Sequence, residues 1–142
     1  YLRWDSLGEF LALAVSLEHY AEHTGNEQAR VLGQCLDDAT TRFLDEDKSP
    51  TRRLGGIDNR GSHFYLALFW AEALAAQSND ADLKQQFTAL ASALKSAEEK
   101  VIEELISVQG EAADIGAYYR PDAIKAERVM RPSATLNQIL AN

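Results

Sequence analysis

The sequence predicts a mainly α-helical fold, because apolar residues recur at spacings of three and four along most of its 142 residues. Two further observations support this fold class. No segment alternates apolar and polar residues as a half-buried strand does, and glycines and prolines fall between the periodic segments, where helices end. The length suits one domain. We therefore expect residues 1–142 to form a single helical unit with two long loops, 45–61 and 110–121.

The first two helices are predicted to form a tight antiparallel pair. Ser6 and Glu9 have the spacing of a capping box, which starts a helix. Gly25 is suited to end that helix in the left-handed conformation. Asn26 can then cap a second helix that extends to about Phe43, and two helices joined by so short a turn pack against each other.

The third and fourth helices are predicted to form the centre of the unit. Ser62 can cap a third helix, which runs from Phe64 to about Gln77 and is apolar on nearly every side except at Glu72. A fourth helix, from Ala81 to about Gln109, has a seam of apolar residues that should face other helices. The seam contains Leu83, Phe87, Leu90, Leu94, Ala97, Val101 and Leu105.

The segment from residue 45 to residue 61 has no sustained period. A loop of this length is uncommon inside a compact domain and tends to be functional or disordered. Short apolar insertions at Leu54 and Ile57 favour an ordered functional loop. The second loop, 110–121, precedes two short helices, one capped by Asp122 and one that starts at Pro132 and Ser133.

The charge of the chain limits its partners. Twenty-two acidic residues against 14 basic ones give a net charge of −8, which argues against nucleic acid and against an anionic membrane surface. No apolar run approaches the roughly 20 residues that cross a bilayer. One stretch is locally basic: Lys48, Arg52, Arg53 and Arg60 lie close together beside a single acid, Asp58.

Structural roles are predicted for the single cysteine and for the pair of histidines on the first helix. The single Cys35 cannot form an intramolecular disulfide, which suggests a reducing cytoplasmic setting, and two neighbouring aspartates should raise the pKa of its thiol. His19 and His23 are four residues apart, a spacing that can bind a metal from one helix face. No further ligand motif accompanies them, so we expect the polar end of a helix there.

The pair Arg52–Arg53 is the strongest ligand signal from the residues alone. Guanidinium groups are planar forks that fit phosphate oxygens, and an arginine commonly accommodates the 2′-phosphate that distinguishes NADP from NAD. A solvated loop charge or a salt bridge is the competing explanation. Arg3 and Asp5 offer a cation and a carboxylate able to accept a ribose hydroxyl. The adjacent Gly55–Gly56 lacks the spacing of a dinucleotide-binding fingerprint.

Four blocks of sequence resemble the C-terminal end of the monomeric NADP-dependent isocitrate dehydrogenases. The blocks are LRWDSLGEF (2–10), IDNRGSHFYLALFW (57–70), DIGAYYRPD (114–122) and MRPSATLN (130–137). They occur in order and with similar spacing, so the resemblance covers essentially the whole chain. It implies that this mainly helical segment corresponds to the C-terminal part of the large α/β domain of the parent enzyme.

The resemblance also implies a reaction and its cofactors. The family oxidises isocitrate with NADP and releases carbon dioxide to give 2-oxoglutarate and NADPH, using Mg or Mn. Its metal ligands, its substrate-binding residues and its catalytic residues match no position here, so the piece alone is expected to be inactive. The family's cofactor contact Arg-Trp-Asp falls on Arg3, Trp4 and Asp5. Its 2′-phosphate arginine falls on Arg52, with Arg53 beside it as a helper.

Another class of function is compatible with the helical pattern. A helical interaction or accessory module without a ligand would use the seam of the fourth helix to bind a partner helix. Helices of a partial domain can also expose apolar faces, and such faces tend to find partners. Self-association of the chain is therefore a further expectation.

Overall fold

The computed structural model describes residues 5–111, 113–117 and 119–142. These residues form six α-helices, and their only β-type pairing is one isolated antiparallel bridge between Gly116 and Pro121. The prediction of a mainly helical fold is confirmed. The helices are α1 (Leu7–Thr24), α2 (Glu27–Asp45), α3 (Asn59–Ala76), α4 (Ala81–Ser107), α5 (Ala123–Met130) and α6 (Ala134–Ala141).

Helix α3 is the central element, as its apolar sequence predicts. It packs against α2 and against α4, while α1 packs against α2 and α6 packs on α4. The main core joins apolar side chains of α2, α3 and α4, among them Phe43, Phe64 and Val101, which are at most 2% exposed. The loops at the two ends of α3 are therefore positioned by a well-packed core.

The turn between α1 and α2 follows the predicted capping. Gly25 has a φ of 69°, and its N–H donates to the carbonyl of Ala21. The side chain of Asn26 accepts from the backbone N–H of Ala29 at 3.1 Å. Close approach of the two helices is possible because α2 has a glycine at Gly33, where an added Cβ would lie 3.2 Å from the carbonyl oxygen of Ala14.

The capping hydrogen bond predicted for the Ser6 side chain at the start of α1 does not form. The side chain of Ser6 makes no capping hydrogen bond to its own helix. The carboxylate of Asp5 instead accepts from the backbone N–H of Leu7 at 3.0 Å, and the Ser6 hydroxyl accepts from the side-chain amide of Asn59 at 3.0 Å. The Ser6 hydroxyl, which the local pattern assigns to a helix cap, therefore bonds to a residue that is distant in sequence.

Helix α3 also starts earlier than the sequence pattern predicts. Its N-cap is Asp58, whose carboxylate accepts from the backbone N–H of Arg60 at 2.9 Å, so the residues Asn59 to Gly61 belong to the helix and not to the loop. The predicted cap, Ser62, is buried and donates to the carbonyl of Lys48 at 2.6 Å. The loop between α2 and α3 is thus residues 46–58.

The apolar seam of α4 packs inside this chain, with four of its residues buried and Phe87, Leu90 and Ala97 partly buried against the core. Leu94, Val101 and Leu105 belong to the main core, and Leu83 packs with Leu74 of α3 in a second cluster. A partner helix therefore cannot use the seam while the chain is folded. The interaction module expected as an alternative loses the surface on which it depended.

Helix α1 does leave apolar side chains at the surface. Val15 is 65% exposed and Tyr20 is 55% exposed, while Leu11 and Leu13 are each 40% exposed. The buried residues of this helix are the small Ala14 and Ala21. Self-association through such a face remains a prediction.

The docking of α6 depends on one carboxylate of α4. Glu104 accepts hydrogen bonds from the hydroxyl of Ser133, from the Thr135 hydroxyl at 2.7 Å and from the Thr135 N–H at 3.2 Å. These bonds, with that of Ser133 the largest contribution, hold the pKa of Glu104 below its ordinary value. Ser133 also caps α6 by accepting from the N–H of Leu136, so the predicted helix begins at Ala134, directly after this cap.

A pH dependence of stability follows from the lowered pKa of Glu104. Because folding favours the ionised carboxylate, its stabilisation is complete above the ordinary value of 4.5 and is lost as the pH falls through the lower folded-state pKa. We expect Glu104→Gln to destabilise the chain near neutral pH, and the difference from the unsubstituted chain to shrink as the pH falls from above 4.5 through the lowered folded-state pKa. Urea unfolding at several pH values measures this. Glu103→Gln, at an exposed neighbour, is the control, and a difference that stays constant with pH would contradict the assignment.

Candidate functional site

The start of α1 and the arginine-bearing loop 46–58 lie at the same end of the helical unit. Ser6 is bonded to Asn59, the first residue of α3. Two residues before Asn59, the carbonyl of Ile57 accepts from the backbone N–H of Thr51 at 2.8 Å. Asp5 is next to Ser6 and Arg52 is next to Thr51, so these two hydrogen bonds connect the segments that carry the two predicted positions.

Loop 46–58 is ordered by contacts at its base and at its tip. At the base, Ser62 holds the carbonyl of Lys48, and Thr51 pairs with Ile57. At the tip, the side chain of Gln109 accepts from the N–H of Gly55 at 3.0 Å and donates to the carbonyl of Gly56 at 2.8 Å. These bonds support the prediction of an ordered loop.

Arg52 and Arg53 are both exposed on this tip. Within the described part of the chain, neither guanidinium forms an ion pair. Residues 51–57 contain no acid. The tip therefore presents two adjacent positive charges on a chain of net charge −8, an arrangement suited to a phosphate group.

The other two bases of the local cluster serve the fold. The side chain of Arg60 is 8% exposed and pairs with Asp58, which is 3% exposed, through Nη2 and Oδ2 at 2.7 Å. Its Nη1 donates to the carbonyl of Val129 at 2.6 Å. The ammonium of Lys48 lies 4.3 Å from the centre of the Tyr65 ring, a cation–π contact. Of the four bases in the cluster, Arg52 and Arg53 are the exposed ones.

Of the predicted contact Arg3-Trp4-Asp5, the described residues include Asp5 alone. Arg3 and Trp4 lie outside them. Asp5 is exposed, and its Oδ1 caps α1 by accepting from Leu7. A carboxylate has further acceptor positions, so Asp5 can accept a hydroxyl hydrogen bond while it keeps this cap.

Sequence reasoning missed the residues that hold this region together. Asn59, Asp58 and Gln109 connect α1, the loop and the end of α4 through side-chain hydrogen bonds. None of the three belongs to a spacing motif. The feature of the sequence that comes closest to indicating Gln109 is its position directly before Gly110. That glycine follows the end of α4 and has a φ of 86°.

Cys35 is in the second core cluster, and His19 and His23 lie on the exposed part of α1. Cys35 is 4% exposed, and its pKa is raised by burial and then by Asp38. The rings of His19 and His23 contact each other edge to face at 4.1 Å, at the exposed end of α1. In the described part of the chain, no three His, Cys, Asp or Glu side chains come together as metal ligands would.

A family model and several curated relatives match this chain. Residues 1–141 match the model described as monomeric isocitrate dehydrogenase. The chain belongs to the monomeric isocitrate dehydrogenase family. It is 57% identical over 141 residues to the isocitrate dehydrogenase [NADP] 2 of Colwellia maris, and 56% identical over 141 residues to the isocitrate dehydrogenase [NADP] of Azotobacter vinelandii.

The match to the family covers nearly all of this chain and a minor part of its relatives. A third relative, the isocitrate dehydrogenase [NADP] 2 of Mycobacterium tuberculosis, is 53% identical over 140 residues. The chain is covered to 99% in each of these three comparisons, and it spans 19% of the length of each relative. None of the helices in the described residues combines the length and apolar character needed to span a bilayer.

Proposed function

We propose that this chain is the C-terminal part of an NADP-dependent isocitrate dehydrogenase and that it binds the 2′-phosphate end of NADP. The names of the relatives specify NADP. The observation that carries the assignment of the site is the exposed pair Arg52–Arg53, on a loop that other side chains hold in place. The same end of the unit carries Asp5, which can accept a ribose hydroxyl.

The residues of this chain fit the anionic end of the cofactor. A dianionic phosphate needs several charge-assisted hydrogen bonds, and two guanidinium groups supply up to ten N–H donors in rigid forks. The buried ion pair of Arg60 with Asp58 keeps the neighbouring acid from competing for the tip arginines. Arg3 and Trp4, from the same family contact, complete the proposed set.

In this proposal the chain binds and orients the cofactor, and the reacting atoms are held by the rest of the enzyme. When bound, NADP would accept the hydride as isocitrate is oxidised and decarboxylated. A divalent Mg or Mn ion belongs to the parent enzyme, with ligands outside this chain. The residues described here act on the adenosine end, and the piece by itself is therefore proposed to be inactive. The cytoplasmic location expected from the single cysteine stays a prediction.

The test is Arg52→Ala in the full-length dehydrogenase that carries this chain. Loss of a charged hydrogen bond should weaken NADP binding by about 1.5–3 kcal/mol, or roughly 10- to 150-fold. Binding of NAD, which lacks the 2′-phosphate, should barely change. Dissociation constants for both cofactors measure the effect.

A matched control is Arg30→Ala, at an arginine near the opposite end of α2. Arg30 is separated from the end of that helix by 15 residues, or roughly 22 Å along its axis. The Arg30→Ala variant should therefore leave the affinities for NADP and for NAD unchanged. Equal losses for NADP and NAD in Arg52→Ala would contradict the 2′-phosphate role.

A further inference from the structure

The side chain of Gln109 connects the tip of loop 46–58 to the turn that follows α4. Its amide oxygen accepts from Gly55 at 3.0 Å, and its amide nitrogen donates to the carbonyl of Gly56 at 2.8 Å. The same nitrogen lies 3.4 Å from Oδ2 of Asp58. We propose that Gln109 is a positioning residue, which sets the preference for NADP by holding the tip arginines where the 2′-phosphate binds. This inference rests on the proposed function.

The tip has little apolar packing to hold it. Residues 51–55 are all exposed, and Leu54 is 71% exposed. Inside the tip, the Thr51 hydroxyl donates to the carbonyl of Arg53 at 3.1 Å, and Gly56 donates to the same carbonyl at 3.4 Å. The two bonds from Gln109 add an anchor on a different element, at the residues immediately after the arginine pair.

The local backbone shows that the tip is a tight and specific turn. Gly55 has a φ of 89°, which L side chains rarely adopt. A Cβ at Gly56 would lie 2.2 Å from the Thr51 hydroxyl oxygen, so the turn requires a glycine there. Gln109 contacts the backbone of both glycines, and it therefore selects this turn over the many others that a Gly-Gly pair can adopt.

Fixing this turn matters because a mobile loop must be ordered when the ligand binds. Ordering the backbone of one residue costs about 1–2 kcal/mol. A loop that is already ordered avoids that cost, which raises affinity without any new ligand contact. The benefit is specific to NADP, because only NADP carries the phosphate that the tip arginines bind.

The experiment uses Gln109→Met in the full-length dehydrogenase that carries this chain. Methionine has a similar length and no amide, so it removes both hydrogen bonds. We expect the KM for NADP to rise roughly tenfold with kcat unchanged, and the KM for NAD to change less than about twofold. Amide hydrogen exchange at Gly55 should become faster. Gln85→Met, at an exposed glutamine of α4, is the control and should change none of these values.

A second background separates positioning from a general structural effect. In the variant with both Arg52→Ala and Arg53→Ala, adding Gln109→Met should change the KM for NADP by less than about twofold, because the groups that it positions are gone. A further tenfold rise in that background would overturn the inference. So would an equal rise in KM for NADP and NAD in the single variant. Circular dichroism of each variant checks that the fold is retained.

The outcomes also distinguish this inference from the function on which it rests. If Arg52→Ala loses the preference for NADP and Gln109→Met keeps it, the inference is wrong and the proposed function stands. If both variants keep the preference, both proposals are wrong. If both lose it, and the effect of Gln109→Met disappears without the arginines, both are supported.

Discussion

Arg60→Ala is expected to lower the free energy of unfolding of this chain by about 3–5 kcal/mol, as measured by urea denaturation. The arginine and Asp58 are both nearly buried, and Arg60 also donates to the carbonyl of Val129. Removing the guanidinium leaves a buried carboxylate without its main counter-charge and a carbonyl without its donor. Because a domain is stable by only about 5–15 kcal/mol, the loss is a large part of the total.

An exposed arginine provides the control for this prediction. Arg30 pairs with Glu27, and the two side chains are 40% and 73% exposed. Arg30→Ala should therefore cost less than about 1 kcal/mol. The double variant Asp58→Asn/Arg60→Met removes both charges and should recover part of the loss. Similar losses for Arg60→Ala and Arg30→Ala would contradict the importance of the buried pair.

The loop should respond to the same substitution. Asp58 caps α3 and lies within reach of Gln109, so the ion pair supports the base of loop 46–58 as well as the start of the central helix. Loss of Arg60 should therefore speed hydrogen exchange at Thr51 and Gly55 in addition to lowering stability. The network thus connects the stability of the fold to the geometry of the proposed phosphate site.

Phe64→Ala should destabilise the chain by about 3–5 kcal/mol. Phe64 is 2% exposed and lies in the main core between α2 and α4, where truncation leaves a cavity that rigid helices cannot fill. Denaturant titration measures the change. Val15→Ala, at a side chain that is 65% exposed, is the control and should cost less than about 1 kcal/mol. A loss below about 1 kcal/mol for Phe64→Ala would show that the core is not packed as described.

The helices and several of their ends could be predicted from local sequence. The turn at Gly25, the caps at Asn26 and Asp122 and the helix start at Ser133 match the structure. Each of the last three side chains accepts from the backbone N–H three residues further along the chain. The central position of α3 was also predictable, since a helix that is apolar all round must be covered. These properties depend on short-range chemistry and on periodicity.

Other polar residues have roles that no local pattern predicts. Ser6 and Ser62 both looked like helix caps, and both instead bond to residues that are far away in sequence. In each case a tertiary partner competes with the local backbone for one hydroxyl. The residues 59–61 looked like loop because they are polar and contain a glycine, although Asp58 caps a helix that includes them.

The sequence by itself determined the helical class, the family resemblance and the two arginines that the proposed phosphate site needs. Those depend on composition, periodicity and the order of residue blocks along the chain. Tertiary structure alone decided which bases of the local cluster remain exposed. The burial of the Arg60–Asp58 pair, the bond from Arg60 to the carbonyl of Val129 and the contact of Lys48 with the Tyr65 ring arise only when elements distant in sequence pack together. Tertiary structure also decided that Gln109 reaches the loop, since 53 positions separate it from Gly56 and no spacing rule operates over that distance.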